Sequence, residues 1–500
     1  MTRNIDRLSC QVLRSGGEVL QKPAYNPANH GIGILHLGIG AFHRAHQAVY
    51  TDTVLAKCGG DWRSIGISLR HEDVRNQLSP QDGLYTLAIK NGRNTDYRII
   101  GSIADIIHAP SNPASVLTIL ASEKIKIVTL SVTEKGYCHD PATNMLNREH
   151  PDIQHDMINP EAPRSAIGFL YYGLKARFQT HQKPLTIISC DNLPSNGKLL
   201  EALLQQFAEE KDPDLLDWIK YNIAFPCTMV DRIVPATTDE DRAAFTAATG
   251  LIDKGLVKSE AFTQWVIEDK FAAIRPEWEI AGAEFVPDVT PCEEAKLRLL
   301  NGSHSALAYL GFLGGYTFVH EAMDNPDFEA FVDYLMKKEA AVSLKTSTRS
   351  RLVPYADNLK TRYKNTALQH QTYQIAMDGS QKLPQRLLET IRYNIKNELP
   401  YEACSLAVAA WIRYITGIDE KGIKIIIKDP LADRFKAITL HCKNDPNALV
   451  NSCLSITDIF GHDLPCRTDF KKKLIFWLTQ LMNKGSKKTV SYFLQHIIAK

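Results

Sequence analysis

The run Gly31 to Leu37 (GIGILHL) is apolar, rich in Ile and Leu, and followed at once by Gly38-Ile39-Gly40. A short apolar run that stops at glycines predicts a strand ending in a turn. From Ala41 the apolar positions take helical spacing (Ala41, Ala45, Ala48, Val49, then Val54 and Leu55), so the unit reads strand, glycine turn, helix. Further β-rich runs lie at Trp62 to Leu69, Ile125 to Val132 and Leu185 to Cys190, each separated by helical or irregular segments. Alternating strands and helices predict an α/β fold with a parallel sheet covered on both faces. Two strand-like runs between Tyr85 and Ile103 flank Asn91-Gly92, a hairpin signal, so a mixed sheet with an antiparallel excursion is expected. Beyond Val289 the pattern turns helical, at Glu293 to Leu313, Asp327 to Ala341, Cys404 to Tyr414 and Lys471 to Leu481. The boundary is placed at 287, giving an α/β domain over 1–287, with 1–30 as an N-terminal arm, and a mostly α-helical domain over 288–500.

A chain of 500 residues suits two or three domains with ample core. Lys and Arg total 58 against 56 Asp and Glu, a formal charge of +2, which argues against nucleic acid or an anionic membrane as partner. No apolar run is long enough to span a bilayer, and the first residues lack the apolar core of a secretory signal. The ten Cys are scattered singly from Cys10 to Cys466, the usage of reduced thiols in a cytoplasmic protein without a structural zinc. The basic tail (Lys471-Lys472-Lys473, Lys487-Lys488) reads as a solvated helix face.

The glycine turn offers the first chemistry. Gly38-Ile39-Gly40-Ala41-Phe42-His43 is a G-x-G-x-x-G pattern with His43 in the third place, after a strand and opening a helix. There the first glycine makes the tight turn, and the second lets a pyrophosphate approach N–H groups at a helix N-terminus. Gly38, Gly40, Ala41, Phe42, His43 and Arg44 are therefore the candidate cofactor-binding residues. The acid that usually holds the ribose should fall near residue 70, where Leu69-Arg70-His71-Glu72-Asp73 offers both signs of charge, leaving NAD and NADP open. His43 and His46 have a metal-compatible i, i+3 spacing but no third ligand nearby, so they read as polar contacts of the helix and no metal is assigned.

The second signal is Pro291 to Leu313 (PCEEAKLRLLNGSHSALAYLGFL). Thr290 as N-cap, Pro291 at the first helical position and Glu293 three residues on form a capping-box pattern. The helix is apolar nearly all round, yet holds Lys296, Asn301 and His304, which at ~100° per residue fall within an arc of about 140°. A snorkelling Lys with a hydrogen-bonded Asn and His is the plain structural alternative. Functionally, burial disfavours the charged form of Lys296 and lowers its pKa, so it can take the proton of an alcohol while hydride leaves the carbon. Asn301 can donate to the developing alkoxide and His304 can hold a neighbouring hydroxyl. Asn192, after the strand Leu185 to Cys190, sits where open α/β sheets bind ligands, with an ordinary Asx turn as the alternative. Asp231, between Met229-Val230 and Ile233-Val234, is a further candidate, against a surface pair with Arg232.

Taken together, HLGIGAFHRAHQAVYTD, SVTEKGYC, SCDNLPSNG, FPCTMVDRIVP, QWVIEDKF, KLRLLNGSHSALAYLG and QIAMDGSQKLPQR resemble the mannitol dehydrogenase family, the polyol-specific long-chain dehydrogenases, from about Ile34 to Leu464. The resemblance implies a Rossmann-like N-terminal domain that binds NAD, a largely helical C-terminal domain that contributes the catalytic Lys, and metal-independent chemistry. It implies Lys296 as general base, Asn192 and Asn301 as the alkoxide-stabilising pair, and His304 as a ligand of a substrate hydroxyl. Asp231 and Lys382 are implied substrate contacts, and Glu293 a member of a proton path. The family's turn carries the same non-glycine third position, which accounts for His43. SVTEKGYC and QIAMDGSQKLPQR look closer to the fructuronate reductases of the family than to its mannitol dehydrogenases. A uronate carboxylate needs a cation, and Arg362, Lys382 and Arg386 are on offer. The expected reaction is therefore D-mannonate to D-fructuronate, with mannitol and fructose, or a tagaturonate-type reduction, as alternatives. A non-catalytic sugar-acid or dinucleotide-binding protein is the reading from another class. The expected partner is a small sugar acid or polyol, and the expected assembly a monomer or small homo-oligomer.

Overall fold

Six apolar runs of the N-terminal part form one parallel sheet: β1 (Ile32–Leu37), β2 (Arg63–Ser68), β3 (Ile103–His108), β4 (Ile127–Leu130), β5 (Leu185–Ser189) and β6 (Ile223–Ala224). Leu35, Leu37, Val128, Leu130 and Ile187 are fully buried, which is why these strands read as continuous apolar stretches. The computed structural model describes residues 5–13, 20–92, 94–140, 143–344 and 349–498. It divides into two compact units, Met1–Thr290 and Pro291–Lys500.

The strand order in the sheet is β6-β5-β4-β1-β2-β3. The chain starts in the middle, runs to one edge and returns to build the other, the doubly wound Rossmann order. The reversal falls between β1 and β4, and a crevice opens beyond their carboxyl ends. The expected hairpin exists, Tyr85–Asn91 against Asn94–Ile100, and so does a mixed sheet, but it is not the main one. The hairpin belongs to a separate four-stranded sheet with Val257–Glu260 and Leu20–Gln21, and the main sheet is wholly parallel. The edge beside β2 is already taken by β3, paired from Ser64↔Ile103 to Ser68↔His108. A third sheet joins Thr228–Asp231, Gln264–Glu268 and Glu284–Val286.

The second unit is helical around the helix Gly302–Leu313, which packs on Glu402–Tyr414 and Thr372–Ala376. Leu307, Leu310, Ala407 and Trp411 are buried at its centre. The predicted helix at Lys471 to Leu481 is part of a longer one, Thr468–Phe493, whose path breaks at Gly485 (φ 77°). No described helix is long and apolar enough to cross a membrane.

One acid of this core gives stability a pH dependence. Glu339 is fully buried and accepts the N–H groups of Ala403 (2.7 Å) and Cys404 (2.8 Å) at the start of Glu402–Tyr414. Burial pushes its carboxyl up from 4.5 to about 7, the two N–H groups pulling the other way. Between those values the folded chain holds a proton that the unfolded chain has released, so stability falls as pH rises across the window, by up to about 3 kcal/mol. Glu339→Gln should flatten that slope, as measured by denaturant unfolding at pH 5 and pH 8. An unchanged slope would show that Glu339 does not carry it.

Candidate active site

In the first unit the glycine turn does what its spacing requires. Gly38 has φ +89°, and a Cβ there would lie 2.3 Å from the Ser131 carbonyl oxygen, so only glycine fits. Gly38 donates to Ile67 O (2.9 Å), and the Gly40 N–H closes onto Gly38 O (2.7 Å). Gly40 caps the helix Ala41–Ala45, and a Cβ there would meet nothing nearer than Gly38 O at 3.8 Å. The turn borders a cleft of about 320 Å³ that also touches Arg70, His71, Asp73, Val132, Thr133 and Arg164. Of the acids near residue 70, Asp73 faces the cleft, whereas Glu72 turns to His108 (3.2 Å) and the Ser111 hydroxyl (3.0 Å). Arg70 is held by Asp152 at 2.5 Å.

Ala41, Phe42, His43 and Arg44 do not line this cleft. Phe42 stacks on His46 (5.1 Å), and Arg44 donates inward to Gly255 O (2.6 Å) and Gly40 O (3.3 Å). His43 stacks on His36 at 3.4 Å, and burial depresses both imidazoles, His36 to about 3. His43 and His46 do not share one continuous helix, contrary to the sequence reading. The chain leaves helical geometry at His46 (φ −127°, ψ −91°) and restarts at Gln47–Cys58, so the i, i+3 argument lapses. The His46 Nε2 meets Gln264 O at 2.9 Å. Cys138, His150 and Asp152 come within 4.8 Å of one another, a grouping that spacing alone did not reveal. The Asp152 carboxylate is committed to Arg70, and His150 Nδ1 accepts the Asp152 N–H.

Asn192 lies half-buried just past the carboxyl end of β5. The loop after it is tied down by Asn196, whose amide donates to Asp191 O (3.0 Å) and Thr228 O (2.9 Å) and accepts the Thr228 N–H (2.9 Å). Asp231 ends the strand Thr228–Asp231 and is 2% exposed. Arg232 is also buried and donates to Ala45 O (2.6 Å) and Glu260 O (2.9 Å), which removes the surface-pair alternative.

In the second unit the polar residues of the buried helix are placed by an unusual winding. The α-helical turn Thr290–Ala295 passes into a π-helical segment, Lys296–Asn301, and returns to α at Gly302–Leu313. The arc expected from 100° per residue therefore does not apply. In a π-helix the hydrogen-bond repeat is five residues, so Lys296 and Asn301 stand one above the other, and His304 follows three residues later. Lys296 is 6% exposed, Asn301 7% and His304 5%, so the lysine does not snorkel to solvent. Glu293 is likewise buried one turn before.

His304 stacks on Tyr363 (5.1 Å) and meets His370 edge-on (4.8 Å). Burial first, then coupling to His370 and the positive charges of Arg386, Arg362 and Lys382, holds its imidazole well below the usual range and hence neutral. His370 is itself depressed to about 4, by burial and then Lys382. Arg386 reaches the Ser305 hydroxyl (3.2 Å), and Gly302 is needed because a Cβ there would lie 2.7 Å from Arg386 O. The Lys382 ammonium donates to Ile375 O (3.3 Å) and Met377 O (2.5 Å). This unit therefore brings Arg362, Lys382 and Arg386 around His304. It adds Tyr363 and His370, which no local spacing had marked. Among the described residues, Asn301 Oδ1 and His304 Nε2 are buried without a hydrogen-bond partner. Buried polar atoms are normally satisfied, so these two are poised for a group not belonging to the protein.

The strand order and glycine turn define a Rossmann-type α/β protein with a helical second unit. Residues 32–280 match the mannitol dehydrogenase Rossmann domain and residues 288–482 the mannitol dehydrogenase C-terminal domain. The chain belongs to the mannitol dehydrogenase family of oxidoreductases. It is 42% identical to the uncharacterized oxidoreductase YeiQ of Escherichia coli, over 93% of this chain and 95% of that one. It is 41% identical to the D-mannonate oxidoreductase of the same organism, over 94% and 97%. The mannitol 2-dehydrogenase of Pseudomonas fluorescens, solved as a ternary complex with NAD and D-mannitol, superposes with a TM-score of 0.92 at 38% identity, covering 98% of this chain and all of that one.

Proposed function

We propose that this chain is a cytoplasmic NAD-dependent reductase that interconverts D-fructuronate and D-mannonate, with residues 1–287 holding the cofactor and 288–500 supplying the general base. The carrying observation is the pair of unpartnered buried atoms, Asn301 Oδ1 and His304 Nε2, on the helix of Lys296 and beside three cations. Gly38 and Gly40 fit the cofactor. The first permits the turn, and the second leaves open space at a helix N-terminus where a side chain would otherwise stand. Held at Gly38 and Gly40, NAD would supply the hydride acceptor for the alcohol carbon, and NADH the hydride donor for the ketone. Lys296 takes the hydroxyl proton in oxidation and gives it back in reduction. Glu293, buried one turn away, passes that proton on. Asn192 and Asn301 donate amide N–H to the oxygen as it gains negative charge. For Asn301 this takes a half-turn of the amide, which exchanges its oxygen for its NH₂. His304, held neutral, meets a neighbouring hydroxyl through Nε2, and Asp231 binds another.

The acid rather than the polyol is favoured by Arg362, Lys382 and Arg386, because a carboxylate pairs with guanidinium and ammonium groups and a neutral hydroxyl does not need them. The resemblance to a mannitol 2-dehydrogenase supports the second reading, mannitol and fructose. Following NADH absorbance with purified protein and D-fructuronate, D-fructose or D-tagaturonate, repeated with NADPH, separates the possibilities. Fastest NADH oxidation is expected with D-fructuronate. A preference for fructose would replace the substrate assignment. No oxidation with any of them would leave a binding protein that has lost turnover.

A further inference from the structure

Thr133 has φ +64° and ψ 165°, a region essentially reserved for glycine and one that a β-branched residue enters only under constraint. The constraint is Asp191. Its buried carboxylate accepts the N–H of Val132 (3.0 Å), the N–H of Thr133 (2.9 Å) and the hydroxyl of Tyr137 (2.8 Å). Tyr137 is anchored in turn on the Ser189 hydroxyl. On its other side the same turn presses on the glycine loop. The Ser131 hydroxyl donates to Gly38 O (3.0 Å), and the Ser131 carbonyl is the atom that excludes any side chain at Gly38. Val132 and Thr133 border the cleft, whereas Asp191 does not.

We propose that Asp191 is a positioning residue for the dinucleotide: it clamps the Val132-Thr133 turn in its left-handed shape and so sets the wall of the cleft opposite Gly40. This rests on the reading of the cleft as the NAD(H) site. Burial pushes the Asp191 carboxyl up to about 6 against the pull of its donors, and Glu134 adds repulsion. Tyr137 and the Cys190 thiol, the other titratable groups beside it, are both raised and stay neutral. Protonation as pH falls through about 6 removes an acceptor from the clamp.

The test is titration of wild type, Asp191→Asn and Thr133→Gly with NADH, read by protein fluorescence, alongside thermal melts and steady-state kinetics. Asp191→Asn should bind NADH about tenfold more weakly and raise its KM much more than it lowers kcat, because an amide cannot accept from all three donors. Its disadvantage should shrink below pH 6, where wild type loses the same carboxylate. Thr133→Gly should melt no lower than wild type, since it releases strain, yet bind NADH several-fold more weakly, since the turn is no longer held in advance. Folded Asp191→Asn with wild-type NADH affinity, or with equal losses in kcat and KM, would overturn the inference. Should Asp191→Asn not fold, unchanged NADH affinity in Thr133→Gly would overturn it alone. Failure of wild type to bind NADH would remove the cofactor reading first, and this inference with it.

Discussion

Replacing Lys296 with methionine should lower kcat by about 10²- to 10⁴-fold, the usual worth of a positioned general base, while NADH still binds with wild-type affinity. Methionine is chosen because Lys296 is 6% exposed among Leu297, Leu299 and Leu300. It fills most of the same volume and removes only the amine, so lost activity cannot be blamed on a cavity. The glycine cleft lies in the other unit, which is why cofactor affinity should be spared. Steady-state NADH oxidation with fluorescence titration checks both halves. Turnover within tenfold of wild type would take Lys296 out of the mechanism.

The two glycines of the turn should fail in opposite ways when each is changed to alanine. Gly38→Ala places a methyl group 2.3 Å from a backbone oxygen at φ +89°, a conflict that no side-chain movement relieves. A loss of at least about 2 kcal/mol of stability is expected, from the left-handed backbone and the collision together. Gly40 has φ −99°, which alanine adopts freely, and its methyl would project into open space. Gly40→Ala should therefore keep its stability within about 0.5 kcal/mol. It should weaken NADH about tenfold or more, because the methyl stands where phosphate must reach the N–H groups. Melting curves and NADH titrations of the two variants read this out. Equal stability in both, or unimpaired NADH binding by Gly40→Ala, would contradict the assignment of the turn.

What could be read from the chain was what is decided locally. GIGILHL followed by GIG contains its own strand, its own turn and the start of its own helix, and the structure places all three there. The sheet that the hairpin joins is decided by Val257–Glu260, far away in sequence, and no pattern near Asn91 could reveal that partner. The break at His46 carries no glycine or proline to announce it. Lys296, Asn301 and His304 stood out because polar residues in an apolar helix are conspicuous. Their winding did not, since a helix that is apolar all round has no stripe whose phase could betray a wider turn. The cations around His304 come from Arg362, Lys382 and Arg386, gathered by tertiary packing. Tyr363 and His370, which touch the same imidazole, had no local signal at all.

The π-wound stretch from Lys296 to Asn301 makes the alignment of these two side chains depend on how the backbone between them is wound. A π-turn amounts to one residue more than an α-turn would use. Were the same six residues to relax to ordinary α winding, the five steps between them would swing the lysine to about 140° from the asparagine, whereas with one of residues 297–300 deleted the remaining four steps would bring the two back within about 40°. A drifting sequence can exchange one leucine for another here at modest cost, yet a change that let the stretch rewind at its present length would separate the lysine from the asparagine. The alignment of these two side chains is thus held by winding and residue count together.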